Sequence, residues 1–227
     1  MSAQKTFAAL LLSAALLFGQ TPAQGARTHP PDPGTLDNNV YRNRTFNFSC
    51  KLPYGWVSRT KEMSAPADSA GKDSAAKTEA LVLLAAFERP PEARGDSLNP
   101  AIVIAAEPAD AYPGLKHAED YYGPLKEVAT AKGFAVTNQP YDFAIGEKHL
   151  VRVDFAKPDN PKSSSAKADS TRSDPAKSDE KISARQSTLI ILDRGYIVLF
   201  TFISETEEEV DRLIETLSFV SSATKSK

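Results

Sequence analysis

The chain is poor in the residues that most often carry chemistry. Its 227 residues include one cysteine, three histidines, one tryptophan and two methionines. It also lacks an excess of either charge: 27 Lys and Arg stand against 29 Asp and Glu, a net charge of −2. Each scarcity excludes something. A lone Cys50 closes no intramolecular disulfide, so packing must hold the fold together. One cysteine and three scattered histidines cannot build a cysteine-rich structural zinc site. A near-neutral balance without a basic stripe argues against a nucleic-acid partner, whose phosphates demand clustered Lys and Arg. No Gly-rich phosphate loop, paired-carboxylate signature or His-Glu-x-x-His helix is present, so no cofactor is implied. What remains, 41% hydrophobic and 25% charged, has the composition of an ordinary globular protein.

Residues 1–23 have the three-part layout of an export signal: basic Lys5, an apolar run from Phe7 to Phe18, then small or turn-forming Thr21-Pro22-Ala23. The run is too short for a bilayer span of about 20 residues. Cleavage is expected after Ala23 or Gly25, leaving an exported, periplasmic or extracellular chain with no membrane span. Cys50 lies too far downstream to serve as a lipid anchor. In Phe46-Asn47-Phe48-Ser49-Cys50-Lys51-Leu52 every second residue is apolar, which predicts a strand with Cys50 on its buried face.

Two stretches, about 64–80 and 157–181, are built from Ser, Ala, Lys, Asp and Pro with no aromatic residue. They offer too little apolar surface to offset the entropy of ordering, and are expected to be disordered insertions. Residues 24–37 are expected to form a flexible lead-in and 223–227 a tail. The ordered remainder of 38–222 has the size of one domain.

The rest of the chain has readable periods. Continuous apolar runs at 80–87, 101–106, 187–192 and 196–203 predict strands covered on both faces. Asp193-Arg194-Gly195 predicts a tight hairpin between the last two. A strand at His149–Phe155 places His149, Val151, Val153 and Phe155 on one face and Leu150, Arg152 and Asp154 on the other. Its predicted partner is 134–145, turning at Gly146-Glu147. Leu115, Ala118, Tyr122, Leu125, Val128 and Ala129 predict one helix, restarted or kinked at Gly123-Pro124 and stopped by Gly133. A second is predicted from a capping box at Ser204-Glu205-Thr206-Glu207, with Val210, Leu213, Ile214 and Leu217 as its stripe. About six strands and two helices make an α+β fold, an antiparallel β-sheet with helices packed on it.

Tyr41-x-Asn43-x-x-Phe46-x-Phe48, then Pro53-x-Gly55-Trp56, then this order of elements, resembles the Mog/PsbP-like superfamily of exported α/β/α sandwiches. Members commonly show Gly between the two aromatics, where this chain has Asn47. The resemblance implies a non-catalytic binding or assembly module and carries no catalytic motif across.

Candidate chemistry is sparse. His117, Glu119 and Asp120 are neighbours near a helix start, but only 117 with 120 or 121 would share a face. His149 is expected to be a partly buried strand-end histidine, with Asp142 on the partner strand as a carboxylate within reach if the register allows. No nucleophile signature accompanies either histidine. The candidate ligand or partner surface is therefore Trp56, His117, Asp120, Tyr121 and His149, with no catalytic or metal residue assigned. The expected function is an exported, non-catalytic binding or accessory module for an unknown protein or small ligand of the cell envelope. The alternatives are a hydrolase using His149 or the His117 region, and a purely structural envelope protein.

Overall fold

The computed structural model of the chain describes residues 30–64, 80–90, 92, 97–159 and 182–220. The expected leader, the bodies of both expected insertions and the tail lie outside the described residues. Within them the elements begin β1 (Thr35–Asp37), β2 (Val40–Asn43), β3 (Phe48–Lys51), β4 (Val57–Ser58), α1 (Thr60–Ser64), β5 (Leu81–Phe87) and β6 (Ala101–Pro108). A short 3-10 helix, Ala118–Tyr121, leads into α2 (Tyr122–Ala131). Then follow β7 (Ala135–Ile145), β8 (Lys148–Pro158), β9 (Ile182–Asp193), β10 (Tyr196–Ser204), α3 (Glu207–Ile214) and β11 (Leu217–Phe219).

The strands form two antiparallel sheets. The larger has the order β4-β5-β6-β10-β9-β8-β7, the smaller β1-β2-β3-β11. Helices and the small sheet cover the large one, so the fold is α+β. This layering explains the unbroken apolar runs. In β10, Tyr196, Val198, Phe200 and Phe202 enter the core beneath α3 and the small sheet, while Ile197 and Leu199 enter a second core beneath α2. Both faces of β10 are therefore largely dry, and its hydroxyl residues Thr201 and Ser204 are hydrogen-bonded to Thr188 and Glu209. Phe48 of the small sheet meets Phe200 edge-on, with ring centroids 4.9 Å apart. A ring pair of this kind adds about 0.5–1.5 kcal/mol to the area it buries.

Both predicted hairpins are present. Asp193 pairs with Tyr196, and the two residues between them, Arg194 and Gly195, have φ of +51° and +77°. That combination is the two-residue turn whose twist suits a hairpin. The β7–β8 register closes at Ile145 and Lys148, around Gly146-Glu147. Asn47 has φ +53°, in the left-handed region that Asn, after Gly, tolerates best.

Other expectations are corrected. The lead-in is ordered from residue 30: β1 pairs with β2, and Tyr41 O–H donates to Pro33 O at 2.9 Å. Backbone pairing holds a segment that has little apolar surface of its own. Lys157 and Pro158, assigned to the second insertion, instead extend β8 against β9. The strands number eleven among the described residues, not six, because strands of two to four residues are too short to show a period. The cap of α3 lies two residues later than expected. Thr206 Oγ1 accepts from Glu209 N at 3.2 Å, and the Glu209 carboxylate accepts from Thr206 N at 3.3 Å. Leu217 lies not on α3 but on β11, opposite Cys50. Val128 is exposed, because α2 begins only at Tyr122 and its inward stripe is Leu125 and Ala129. Pro124 falls in the first turn of α2, where its missing N–H has no partner to lose.

Candidate functional site

Two histidines predicted separately line one groove on the α2 side of the large sheet. Lys116, His117 and Glu119 come from the turn into the 3-10 helix, Asp142 from β7, and Lys148 and His149 from β8. Together they border an open groove of about 360 Å³, floored by Val151, Ile190 and Leu192. The hairpin register sets Ala144 opposite His149 and Asp142 opposite Val151, so Asp142 and His149 are diagonal neighbours on one face. His149 Nδ1 lies 3.0 and 3.1 Å from the two oxygens of Asp142. The pair is solvated, with side chains 71% and 69% exposed. His149 is thus exposed where partial burial was expected, because it sits at the open end of the strand. Lys148 Nζ lies 3.6 Å from Asp193.

This groove supplies an oriented imidazole, the lysine Lys116 and an apolar floor, whereas Lys148 turns its ammonium to the other face of the sheet, over the Phe219 ring at 6.0 Å. None of its lining residues bears a hydroxyl or thiol. The chain's only thiol, Cys50, is buried in the core on the opposite face of the sheet. Burial pushes that thiol up to about 11, with the Thr216 hydroxyl only partly offsetting it. Among the described residues no group of three or more His, Cys, Asp or Glu is placed to hold a metal ion.

Asp120 does not face the groove as a ligand. Its Oδ2 accepts from the backbone N–H of Lys116 and of His117, each at 2.8 Å. Those two bonds hold its carboxyl below the usual carboxylate range and pin the turn that presents His117. Tyr121 is buried, not on the surface. Its hydroxyl donates to Glu107 at 2.9 Å, its ring packs edge-on against Tyr112 with centroids 5.0 Å apart, and burial raises its pKa. The periodicity had put Tyr121 beside His117, but the tight 3-10 turn rotates it inward. Trp56 is half-buried: it packs against the core and also borders a separate groove of about 440 Å³ with Pro53, Pro100, Leu213 and an acidic rim of Glu88, Glu205 and Glu209.

A third feature lies under α3. On the face of β8 opposite His149, Arg152 and Asp154 are 6% and 8% exposed. Asp154 accepts from Arg152 Nε at 2.8 Å, from Tyr141 O–H at 2.9 Å, from Asn138 Nδ2 at 3.1 Å, and from the Ser187 hydroxyl. Arg152 also reaches Asp211 of α3 at 2.8 Å and lies over the Phe143 ring, 5.2 Å from its centroid. Burial alone would raise the carboxyl of Asp154, but the bonds from Ser187, Arg152 and Asn138 outweigh it and hold the group below its ordinary value. The register of β7 against β8 shifts between Val136 and Asn138 and again before Tyr141. These irregularities bring both side chains to the same carboxylate.

No family model matches the chain, and no curated protein does. Among solved structures it is similar to cyanobacterial PsbP (CyanoP) from Synechocystis sp. PCC 6803. The identity is 13% and the TM-score 0.44, with 80% of this chain and 91% of that one covered. It is similar also to LpqN, described as involved in cell envelope biogenesis of Mycobacterium tuberculosis. There the identity is 12% and the TM-score 0.35, over 83% and 86% of the two chains. Both likenesses are remote, and the α+β architecture rests on the strand register itself.

Sequence reasoning missed Lys116 as a groove residue and the whole Arg152–Asp154 network. The signal for the second was present. Two opposite charges two residues apart, on one face of an otherwise apolar strand, cannot both be buried unless they are paired.

Proposed function

We propose that the chain is an exported, non-catalytic binding or accessory module of the cell envelope, and that its ligand surface is the groove between His117 and His149. The observation that carries the reading is the make-up of that groove: two imidazoles, the lysine Lys116 and two carboxylates around an apolar floor, with no hydroxyl or thiol among its lining residues. Such a surface can recognise a ligand through charge and hydrogen bonds, and it lacks the hydroxyl or thiol on which the commonest nucleophile–base pairs are built. Export is supported by the short apolar run behind Lys5. Among the described residues no helix is long and apolar enough to cross a membrane.

The test uses the full chain expressed with its leader. Terminal sequencing of the envelope fraction should find cleavage after Ala23 or Gly25. A partner or metabolite retained by the purified protein should be lost in the His117→Ala/His149→Ala double variant without a change in melting temperature. Retention by the double variant overturns the assignment of the groove.

The hydrolase reading has one observation in its favour, the His149–Asp142 pair, which could orient the imidazole as a general base for water. Turnover of an ester or phosphoester panel that disappears in His149→Ala would establish it and displace the binding reading.

A further inference from the structure

We infer that the pocket between β9 and α3 is a second binding site, built for a small molecule that carries both a carboxylate and an ammonium group, a free amino acid or a short peptide. The pocket holds about 300 Å³ and lies on the opposite side of the sheet from the histidine groove. That volume suits a molecule of this size. Its charged walls come from different elements: Arg185 is on β9, and Glu207 opens α3. Neither forms an ion pair within the described residues. Two opposite charges that border one pocket without meeting leave the space between them for a ligand bearing the complementary pair.

The alternation of β9 puts Arg185 on the same face as Ser187, whose hydroxyl is bound to Asp154, and as Leu189 and Ile191, which enter the core beneath α3. Arg185 is half-buried there, and Glu207 is exposed. A guanidinium fork takes a carboxylate by two parallel bonds, and Glu207 takes the ammonium. A plain anion would lie beside Glu207 and a plain cation beside Arg185, so each is disfavoured where the zwitterion is not.

The floor explains the costly network beneath it. A buried ion pair such as Arg152–Asp154 seldom stabilises a fold better than apolar residues of the same volume. Here the pair saturates Asp154 with four donors, which removes its charge from the pocket and holds Asn138 and Ser187 in place. Asn138 uses one N–H on Asp154 and Ser187 its only O–H. The second N–H and carbonyl oxygen of Asn138, and the lone pairs of Ser187, remain for a ligand that both donates and accepts.

Isothermal titration of the full chain tests the inference, with L-alanine, L-glutamate, L-lysine and Ala-Ala as probes. Their N-acetyl and carboxamide derivatives serve as controls. At least one probe should bind one to one. Blocking either its amine or its carboxylate should weaken binding by about tenfold or more, as expected when a charge-assisted hydrogen bond is lost. Tighter binding of Ala-Ala than of L-alanine identifies the ligand as a peptide, and the reverse as a free amino acid. Arg185→Met should abolish binding and Glu207→Gln should weaken it as much as N-acetylation does. Both positions lie outside the cores, so melting should be unchanged. His117→Ala/His149→Ala should leave this binding intact, which separates it from the fate of the histidine groove. The inference is overturned if no probe binds, if the blocked probes bind equally well, or if Arg185→Met binds like the parent.

Discussion

Replacing Asp154 by Asn changes the charge at the centre of the buried network without changing volume, so it isolates electrostatics from packing. In the parent one carboxylate serves Arg152, Tyr141, Asn138 and Ser187. An amide has one oxygen. Its NH₂ must face either Arg152 and Ser187, or Tyr141 and Asn138, and in each case a donor meets a donor. The guanidinium of Arg152, only 6% exposed, keeps just Asp211 as counter-ion, and the side chain of Asp211 is 49% exposed. Breaking a buried pair costs about 3–5 kcal/mol. With Asp211 remaining, the lower end applies, about 3 kcal/mol out of the 5–15 typical of a domain, or a fall of about 6–12 °C in Tm. Urea denaturation at pH 7, followed by the fluorescence of Trp56, the chain's single tryptophan, measures the loss. The pH dependence gives a second reading. Because the carboxyl of Asp154 is held below its ordinary value in the folded state, its contribution is present above the ordinary carboxylate range. It is lost as pH falls through the depressed folded value, and Asp154→Asn should remove that part of the acid slope. Arg152→Met/Asp154→Leu should regain part of the stability, since no buried charge is then stranded, while the buried Ser187 hydroxyl still loses its partner. A loss below about 1 kcal/mol in Asp154→Asn, or a double variant no more stable than the single, would refute the account.

Three further outcomes are expected. The Cys50 thiol, raised to about 11, should be roughly one part in a thousand thiolate at pH 8, so a disulfide reagent should label it only after urea is added. Labelling at the rate of a free thiol in the native protein would contradict its burial. Gly34 has φ +76°, and a methyl group there would collide with the ring of Tyr41. Gly34→Ala should therefore cost about 1–3 kcal/mol in urea denaturation, whereas Gly114→Ala, with open space around it, meets only the conformational strain. Thr206→Ala should cost about 1 kcal/mol through loss of the α3 cap. Ser204→Ala should instead act through the Ser204 hydroxyl bond to Glu209 at 2.9 Å, so equal behaviour of Glu209→Gln in both backgrounds would count against that division.

Local pattern was enough where one element announces itself. The period of two in Phe46, Phe48, Cys50 and Leu52 picked out four side chains that are all buried, although the strand itself runs only Phe48–Lys51 and Phe46 enters the core from the turn before it. Arg194-Gly195 and Gly146-Glu147 named their hairpins because a two-residue turn and its flanking strands are local in sequence. The alternation at 149–155 sorted His149 from Arg152 and Asp154 correctly. Even the reach of Asp142 to His149 was legible, since a single hairpin register decides it.

Tertiary structure decided everything that depends on segments far apart in the chain. Ser187 reaches Asp154 across 33 positions, and Cys50 meets Thr216 across 166. The short strands β1, β4 and β11 exist only through their partners, because two or three residues cannot hold an extended form alone. The tight turn at Ala118–Tyr121 put Tyr121 inside and His117 outside, against the simple helical period. The residues thus determined which faces are apolar and where the chain turns, because those are consequences of neighbouring side chains. Which polar groups share a pocket was settled only when the sheet closed, because that depends on strand order, and strand order is not a local property of any stretch of sequence.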